Sequence, residues 1–280
     1  MSAAASNDVV PARRVVLLGA SNLTRGISTV VESSWHAWGR PLDVLAALGH
    51  GRSYGMRSKV LVRALPGIAE CGLWEAIAQR PALPTAALLT DIGNDLLYEA
   101  PVEQIVEWVE LCLDRLMGHA GQPSWLFEDQ RDAYPTARVA MTLLPLASLD
   151  TLSERKFRLF RSILFPACRL PLEVLHRRAI ELNERVRQIG AARGIALIEP
   201  RAAWYGHDPI HLRMRDWRPA WQEILAAWRN DDALPAARGS LARWLRLRAL
   251  APQCRWICGI EQRSAQPAAR LRDGTTISFY

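Results

Sequence analysis

The chain has 280 residues, of which half are hydrophobic and 22% are charged, so it can bury the core of one large domain. Its formal net charge is +7, but the basic residues, all arginines except Lys59 and Lys156, are spread along the chain. Because there is neither a dense basic run interleaved with aromatics nor a stretch of eighteen apolar residues, we expect no nucleic-acid partner and no membrane span.

The N-terminal residues and the cysteines indicate the compartment. Residues 1–11 are small and polar, without the apolar segment of a signal peptide. The five cysteines are an odd number in mostly apolar surroundings, which is typical of reduced thiols rather than of a disulfide framework. These features predict a cytoplasmic protein.

Apolar runs and helical periodicity alternate along the chain. In order, they predict a strand at 14–18, a helix at 23–38, a strand at 42–48, a helix or helical turn at 56–65, a short helix at 73–79, a strand at 86–90, a helix at 102–117, a strand at 138–144, a helix at 172–193, a strand at 195–198 and a helix at 217–228. Strands separated by helices favour a parallel sheet covered on both faces. We therefore predict a three-layer α/β/α, flavodoxin-like fold with a parallel five-stranded sheet and a short C-terminal extension.

The domain organisation follows from where this alternation stops. We predict a catalytic domain at 10–230 and a C-terminal extension at 231–280. Residues 146–171 form an insertion near the mouth of the site, and residues 241–250 form a short helix that docks on the domain. Residues 269–280 have the pattern of a terminal hairpin around Asp273-Gly274.

Four short motifs follow the predicted strands. They are Gly19-Ala20-Ser21-Asn22, Gly49-His50-Gly51, Gly93-Asn94-Asp95 and Asp208-Pro209-Ile210-His211. The first three come directly after strands one, two and three, and the fourth lies in the loop after strand five. Because ligands bind at the carboxyl ends of strands in such sheets, we expect the four motifs to converge.

The residue types in these motifs are those of an acyl-transfer site. A serine needs a base, and a histidine oriented by a carboxylate provides one; Asp208 and His211, three residues apart, can meet if the loop turns helically. An oxyanion needs hydrogen-bond donors, available from the Ser21 N–H, a glycine N–H at 49–51 and the Asn94 amide. The motifs thus predict a serine hydrolase that needs neither a cofactor nor a metal.

With these four motifs the chain resembles the SGNH or GDSL-type hydrolases, which carry serine, glycine, asparagine and histidine in this order on a three-layer sheet. The resemblance covers residues 15–212. It implies Ser21 as the nucleophile, with Asp208 and His211 completing the triad, and an oxyanion hole of Ser21, Gly51 and Asn94. It also implies cleavage of small-molecule esters or thioesters through an acyl-enzyme.

Two departures from the family pattern concern single positions. The first motif reads Gly-Ala-Ser where the family usually has Gly-Asp-Ser; that aspartate is not the triad acid. The second motif offers two glycines. Gly51 is preferred because Gly51-Arg52-Ser53 matches the family's Gly-x-Ser turn, and Gly49 is the alternative.

Other interpretations start from overlapping patterns. Gly51-Arg52-Ser53-Tyr54-Gly55 is a Gly-x-Ser-x-Gly sequence, which would make Ser53 a nucleophile in an α/β-hydrolase. The glycines of the same segment could instead form a nucleotide-binding turn, although their spacing differs from that motif. His207, Asp208 and His211 could bind a metal.

Two interpretations without catalysis also remain. The fold could serve as a catalytically idle binding or interaction module. The eleven tryptophans could bind carbohydrate, but most stand at helical spacing with apolar neighbours, so we expect them in the core. The sequence does not predict the oligomeric state.

Overall fold

A computed structural model describes residues 10–118, 137–206, 208–229 and 234–280. Its strands are β1 Arg13–Leu18, β2 Leu42–Ala47, β3 Ser58–Val60, β4 Arg63–Leu65, β5 Thr85–Leu89, β6 Arg138–Thr142, β7 Ala196–Ile198, β8 Cys254–Ile257, β9 Ile260–Arg263, β10 Ala269–Arg270 and β11 Thr276–Phe279. Its α-helices are α1 Ser21–Trp38, α2 Leu73–Gln79, α3 Val102–Met117, α4 Leu146–Leu149, α5 Glu154–Leu164, α6 Leu172–Arg193, α7 Trp217–Ala226 and α8 Leu241–Arg248.

The central sheet has the strand order β10-β11-β2-β1-β5-β6-β7 among the described residues. All of its neighbouring strands run parallel except β10 and β11. The chain moves from β1 to β2 on one side and later crosses to β5 on the other, so β1 lies at a topological switch point. In open α/β sheets the ligand crevice forms at the carboxyl ends of the strands beside such a point.

Helices cover both faces of this sheet. Because successive side chains of a strand point to opposite faces, Val16 and Leu18 of β1 join the core beneath α3 and α6, whereas Val15 and Leu17 join the core beneath α1, α7 and α8. All four side chains are fully buried. The predicted three-layer α/β/α arrangement is therefore confirmed.

The strand count of the central sheet differs from the prediction. It has seven strands instead of five because β10 and β11, the predicted terminal hairpin, join it: β11 pairs in parallel with the outer edge of β2. Residues predicted as an extension thus contribute to the main sheet. The predicted boundary at 230–231 itself lies outside the described residues.

The helix predicted at 56–65 is wrong. These residues form the antiparallel pair β3 and β4, which continues through β8 and β9 as a second, four-stranded sheet. The local sequence carries β-branched Val60 and Val62, and long-range pairing with β8 settles the strand conformation. Leu61, at the tip of the hairpin, is 86% exposed.

The remaining predicted segments fall into place around the sheet. The insertion at 146–171 contains α4 and α5. The helix predicted at 241–250 is α8, which contacts α1 through the indole of Trp244, whose Nε1 donates to the carbonyl of Arg25 at 2.9 Å. Trp221 and Trp228 are buried in the core, as expected. In the described part of the chain, no helix combines the length and apolar character needed to cross a bilayer.

Candidate active site

Ser21 begins α1 immediately after the central strand β1. The approach to it is tight: a Cβ on Gly19 would lie 2.5 Å from Cγ2 of Thr90, so only glycine fits there without a shift. Ser21 is half-buried, and its Oγ accepts a hydrogen bond from the N–H of Gly51 at 3.3 Å. The structure therefore places this hydroxyl at the positive end of a helix, beside a backbone donor from the next strand's turn.

The turn at residues 49–51 presents the N–H of Gly51 to Ser21. Gly51 has φ of +63°, and a Cβ there would lie 2.7 Å from Cγ2 of Val60, so both conformation and space require glycine. Its carbonyl accepts a hydrogen bond from the hydroxyl of Tyr98. Gly49 instead packs against Leu65, with a carbonyl that accepts from Arg52 N–H at 3.2 Å. The geometry thus favours Gly51 over Gly49 as the donor toward Ser21.

Asn94 lies in the 3-10 segment Ile92–Tyr98, just after β5. Its Nδ2 donates to the carbonyl of Arg52 at 3.5 Å, which aligns its amide with the turn that contains Gly51. An amide nitrogen carries two hydrogens, so a second N–H is available to a ligand. Ser21, Gly51 and Asn94 follow the adjacent strands β1, β2 and β5, as the motif positions predict.

Asp208 and His211 meet in the loop after β7. Nδ1 of His211 lies 2.6 Å from Oδ2 of Asp208, and the N–H groups of Ile210 and His211 each donate to Oδ1 at 3.2 Å. Burial alone would raise the pKa of Asp208, but the hydrogen bond and charge of His211 and these N–H donors hold it below its ordinary value. An ionised carboxylate only accepts, so Nδ1 carries the hydrogen and Nε2 of the neutral imidazole is left as a base.

Asn22 connects this loop to the start of α1. Its Nδ2 donates to the carbonyl of Ile210 at 2.9 Å, and its Oδ1 accepts from the N–H of Leu212 at 2.8 Å. The residue after Ser21 therefore holds the two residues that flank His211. No hydrogen bond joins Ser21 Oγ to His211 within the described ranges, and such contacts often tighten only when substrate binds.

Asp91 is a second residue, besides Asn22, that fixes the start of α1, and the motifs did not identify it. In a left-handed conformation with φ of 60°, its carboxylate accepts from Ala20 N–H at 2.8 Å, Asn22 N–H at 3.2 Å and Asn22 Nδ2 at 2.7 Å. It thereby caps α1 from another strand. The motifs assign no role to Asn22 or Asp91, and the one signal for Asp91 is its position directly after a buried strand.

Replacing Asn22 with alanine is expected to lower kcat/KM for ester hydrolysis by about ten- to a hundredfold, because the loop with His211 loses its anchor and small misplacements are costly. Steady-state kinetics on a chromogenic ester measure the effect. Ser34→Ala, which removes another buried polar group from α1, is the matched control and should retain activity. Equal losses in both variants would show that the effect is one of general stability.

Ser53, the alternative nucleophile, is fully buried and occupied. Its hydroxyl donates to Oδ1 of Asp95 and accepts from the N–H groups of Gly55 at 3.2 Å and Met56 at 2.7 Å. The carboxylate of Asp95 also accepts a hydrogen bond from the N–H of Tyr54 at 2.9 Å. These bonds tie the turn after β2 to the segment after β5. They give Ser53 a structural place and no imidazole partner among the described residues.

Burial raises the pKa of Asp95 from 3.8 to about 6, against the hydrogen bonds of Ser53 and Tyr54. The folded protein therefore holds this proton more tightly than the unfolded chain, so the contribution to stability is full below 3.8 and is lost as the pH rises through about 6. As the pH rises from about 4.5 to about 7.5, the free energy of unfolding of the wild type should fall by about 2 kcal/mol relative to that of Asp95→Asn, which has no carboxyl group to ionise. Urea denaturation at both pH values tests this; a difference that does not change with pH contradicts it.

Two spaces adjoin the candidate site. A mostly apolar cavity of about 80 Å³ lies next to Asn94 and is closed by the leucines at 96, 97, 143 and 144 and by Ile210. A second space, an open groove, runs past Asp208 and His211 and is bordered by Arg25. The candidate site thus has space beside Asn94 and beside His211.

The alternative metal site is not supported by the described residues. Among them, no group of three histidine, cysteine, aspartate or glutamate side chains is placed to hold a metal ion. His207, one of the three residues in that interpretation, lies outside the described residues.

No protein-family model matches this sequence. A comparison with curated proteins also finds no match. Among solved structures, the M. smegmatis aryl esterase aligns over 76% of this chain and 96% of its own, with 13% identity and a TM-score of 0.50. Est24, a carbohydrate acetylesterase from Sinorhizobium meliloti, aligns over 76% and 96%, with 14% identity and a TM-score of 0.48. A member of the lipolytic protein G-D-S-L family from Veillonella parvula DSM 2008 aligns over 78% and 96%, with 13% identity and a TM-score of 0.44.

The likeness to the aryl esterase shows a shared fold. The class of fold implied by the resemblance to SGNH hydrolases, a mostly parallel sheet between two layers of helices, is therefore confirmed. At this level of identity, the residues of the candidate site have to be argued from their own geometry.

Proposed function

We propose that this chain is a serine hydrolase that cleaves carboxylic esters or thioesters of small molecules through an acyl-enzyme. One observation carries the proposal. Asn22 holds the loop of the Asp208–His211 pair beside Ser21, whose Oγ already contacts the N–H of Gly51. These contacts support a nucleophile, an oriented base and an oxyanion donor grouped at the carboxyl edge of one sheet. The aryl esterase that shares this fold is named for the same chemistry.

In the acylation step, Ser21 Oγ attacks the carbonyl carbon while Nε2 of His211 accepts the hydroxyl proton. The carbonyl oxygen becomes an oxyanion, which receives hydrogen bonds from the N–H groups of Ser21 and Gly51 and from Nδ2 of Asn94. Asp208 keeps the proton on Nδ1 and stabilises the imidazolium. The intermediate collapses when His211 gives its proton to the leaving alcohol or thiol.

Deacylation repeats these roles with water. His211 removes a proton from a water molecule, whose oxygen attacks the acyl carbon, and the same three donors bind the second oxyanion. The proton then returns from His211 to Ser21 Oγ, and the carboxylic acid leaves. Every group needed for the cycle belongs to this chain, so the proposed reaction uses no cofactor.

The size of the apolar cavity beside Asn94 favours substrates with short acyl groups. Its volume of about 80 Å³ compares with about 10–15 Å³ for one water molecule on the same measure, so it holds a chain of a few carbons. Its lining is mostly apolar and includes several leucine and isoleucine side chains. We expect p-nitrophenyl esters to be cleaved fastest with two to about four acyl carbons.

A fluorophosphonate probe tests the proposed function directly. In the native protein, Ser21 Oγ should displace fluoride from the probe and form a phosphonyl ester, which peptide mass spectrometry locates. Heat-denatured protein should not react. No adduct on folded protein would favour the idle binding module. An adduct on Ser53 would transfer the nucleophile to the Gly-x-Ser-x-Gly turn.

A further inference from the structure

Three arginines surround the turn that presents Gly51 to Ser21. Arg63 and Arg248 line a pocket of about 100 Å³ together with His50, the middle residue of the turn. Arg25 borders the groove past His211 and stands four residues after Ser21 on α1, on the same face of the helix. We call Arg25, Arg63 and Arg248 the basic cluster.

The basic cluster has no carboxylate at ion-pair distance in the part of the chain that the structure describes. Elsewhere, buried Arg52 donates to the carbonyls of Pro66 and Leu48. Buried Arg14 instead pairs with Asp43 at 3.0 Å. The three cluster arginines form no such ion pair with a described residue; Arg248 instead lies over the ring of Trp244 at 4.6 Å. Uncompensated positive charge beside a pocket lowers the energy of any anion that enters it.

The environment of the cluster disfavours positive charge, as the lowered pKa values of Arg63 and His50 indicate. Burial lowers the pKa of Arg63, and the neighbouring Arg255 lowers it further. Burial also lowers the pKa of His50 to about 4, with further contributions from Arg63, Arg248, Arg25 and His211. His50 is therefore neutral at physiological pH and can donate one N–H to a ligand.

The pocket beside His50 also has an apolar wall, formed by Leu48, Leu65 and Phe279. It lies one residue along the turn from Gly51, whose N–H contacts Ser21 Oγ. The apolar cavity beside Asn94 is a separate space that suits the acyl chain. A leaving group that passes the turn would therefore meet a short apolar surface ending in guanidinium groups.

From this arrangement we infer that the basic cluster and His50 form a binding subsite for an anionic group, a carboxylate or phosphate, on the alcohol side of the ester. Guanidinium groups bind both anions with paired N–H donors. The inference rests on the proposed function and adds its substrate class: esters of a short acyl group with a negatively charged alcohol or phenol.

A pair of substrates that differ only in charge tests the inference. 3-Acetoxybenzoate and neutral 3-acetoxybenzamide carry the same acetyl group, and each rate is normalised to hydroxide hydrolysis. The wild type should prefer the anion by about tenfold or more in kcat/KM, less at high salt. Arg63→Gln with Arg248→Gln should reduce this ratio to near one, whereas Arg187→Gln, in an exposed pair with Glu199, should preserve it. The inference is overturned if the wild-type ratio is near one, or if the double variant has the same ratio as the wild type. In either case, hydrolysis of the neutral ester still supports the proposed function.

Two further measurements complete the test. Phenyl hemisuccinate carries its charge on the acyl side, and a preference for it over 3-acetoxybenzoate would overturn the placement on the alcohol side. Calorimetric titration with inorganic phosphate is independent of catalysis: we expect binding to wild type and to Arg187→Gln, weakened about tenfold or more in the double variant. Equal binding by all three, or none by the wild type, contradicts the subsite.

Discussion

Replacing Ser21 with alanine is expected to lower kcat for a short-chain aryl ester by a factor on the order of 10⁴ to 10⁶, because the hydroxyl that forms the acyl-enzyme is gone. The hydrogen-bond donors at Gly51 and Asn94 are untouched by this change. They leave a residual rate above that of the uncatalysed reaction. Steady-state kinetics with p-nitrophenyl acetate, together with fluorophosphonate labelling of both proteins, measure the loss.

Ser53→Ala is the control that separates the two candidate serines. Because the hydroxyl of Ser53 ties Asp95 to the turn after β2, this variant should be less stable, yet the folded fraction should still react with the probe at Ser21. Ser21→Ala should show normal stability and no labelling. If Ser21→Ala turns over like the wild type while Ser53→Ala does not label, the assignment of the nucleophile is wrong.

Asp208→Asn is expected to lower kcat by about 10⁴-fold with little change in KM. The amide can donate to Nδ1 of His211, which favours the tautomer with hydrogen on Nε2, and that nitrogen can then no longer accept the proton of Ser21. The amide also cannot stabilise the imidazolium as the ionised carboxylate does. Kinetics across the pH range measure the loss.

The same loop provides a matched control for this prediction. Asp216 pairs with Arg213 at 2.6 Å, with the three-residue spacing that separates Asp208 from His211. Asp216→Asn therefore removes a comparable ion pair without touching the predicted base, and it should keep kcat within about threefold of the wild type. A similar collapse in both variants would mean that loop order, rather than the state of His211, limits the reaction.

The parts of the fold that local patterns predict are the five parallel strands β1, β2, β5, β6 and β7 and their helices. Strands such as β1 and β5 are continuous apolar runs bounded by turn residues, which mark buried parallel strands. The hairpin of β3 and β4 was not predicted because β4 pairs with β8, which lies almost 200 residues away in the chain. Short segments adopt the state that such tertiary pairing selects. The placement of β11 beside β2 escaped for the same reason.

The site divides in a similar way between what the motifs predicted and what they could not. Ser21, Gly51, Asn94 and the contact of Asp208 with His211 could be proposed from the motifs. The first three follow the neighbouring strands β1, β2 and β5, and the Asp208–His211 pair lies in the loop after β7. The roles of Asn22 and Asp91 could not be predicted, because Asn22 forms hydrogen bonds with Asp91 and Ile210, which lie 69 and 188 residues away in the sequence. An asparagine at a helix start has a sufficient local explanation as a cap, so nothing in the sequence pointed to its distant partners.

The pairing of β11 with the outer edge of β2 has a consequence for synthesis of the protein. A ribosome makes β1, β2 and β5 long before residues 276–279, so the growing polypeptide carries β2 with one side of its backbone unpaired. Such an edge can join strands of other chains and start aggregation. Expression in which the codons for residues 269–280 are translated slowly should therefore yield more insoluble material than expression with the same codons translated quickly.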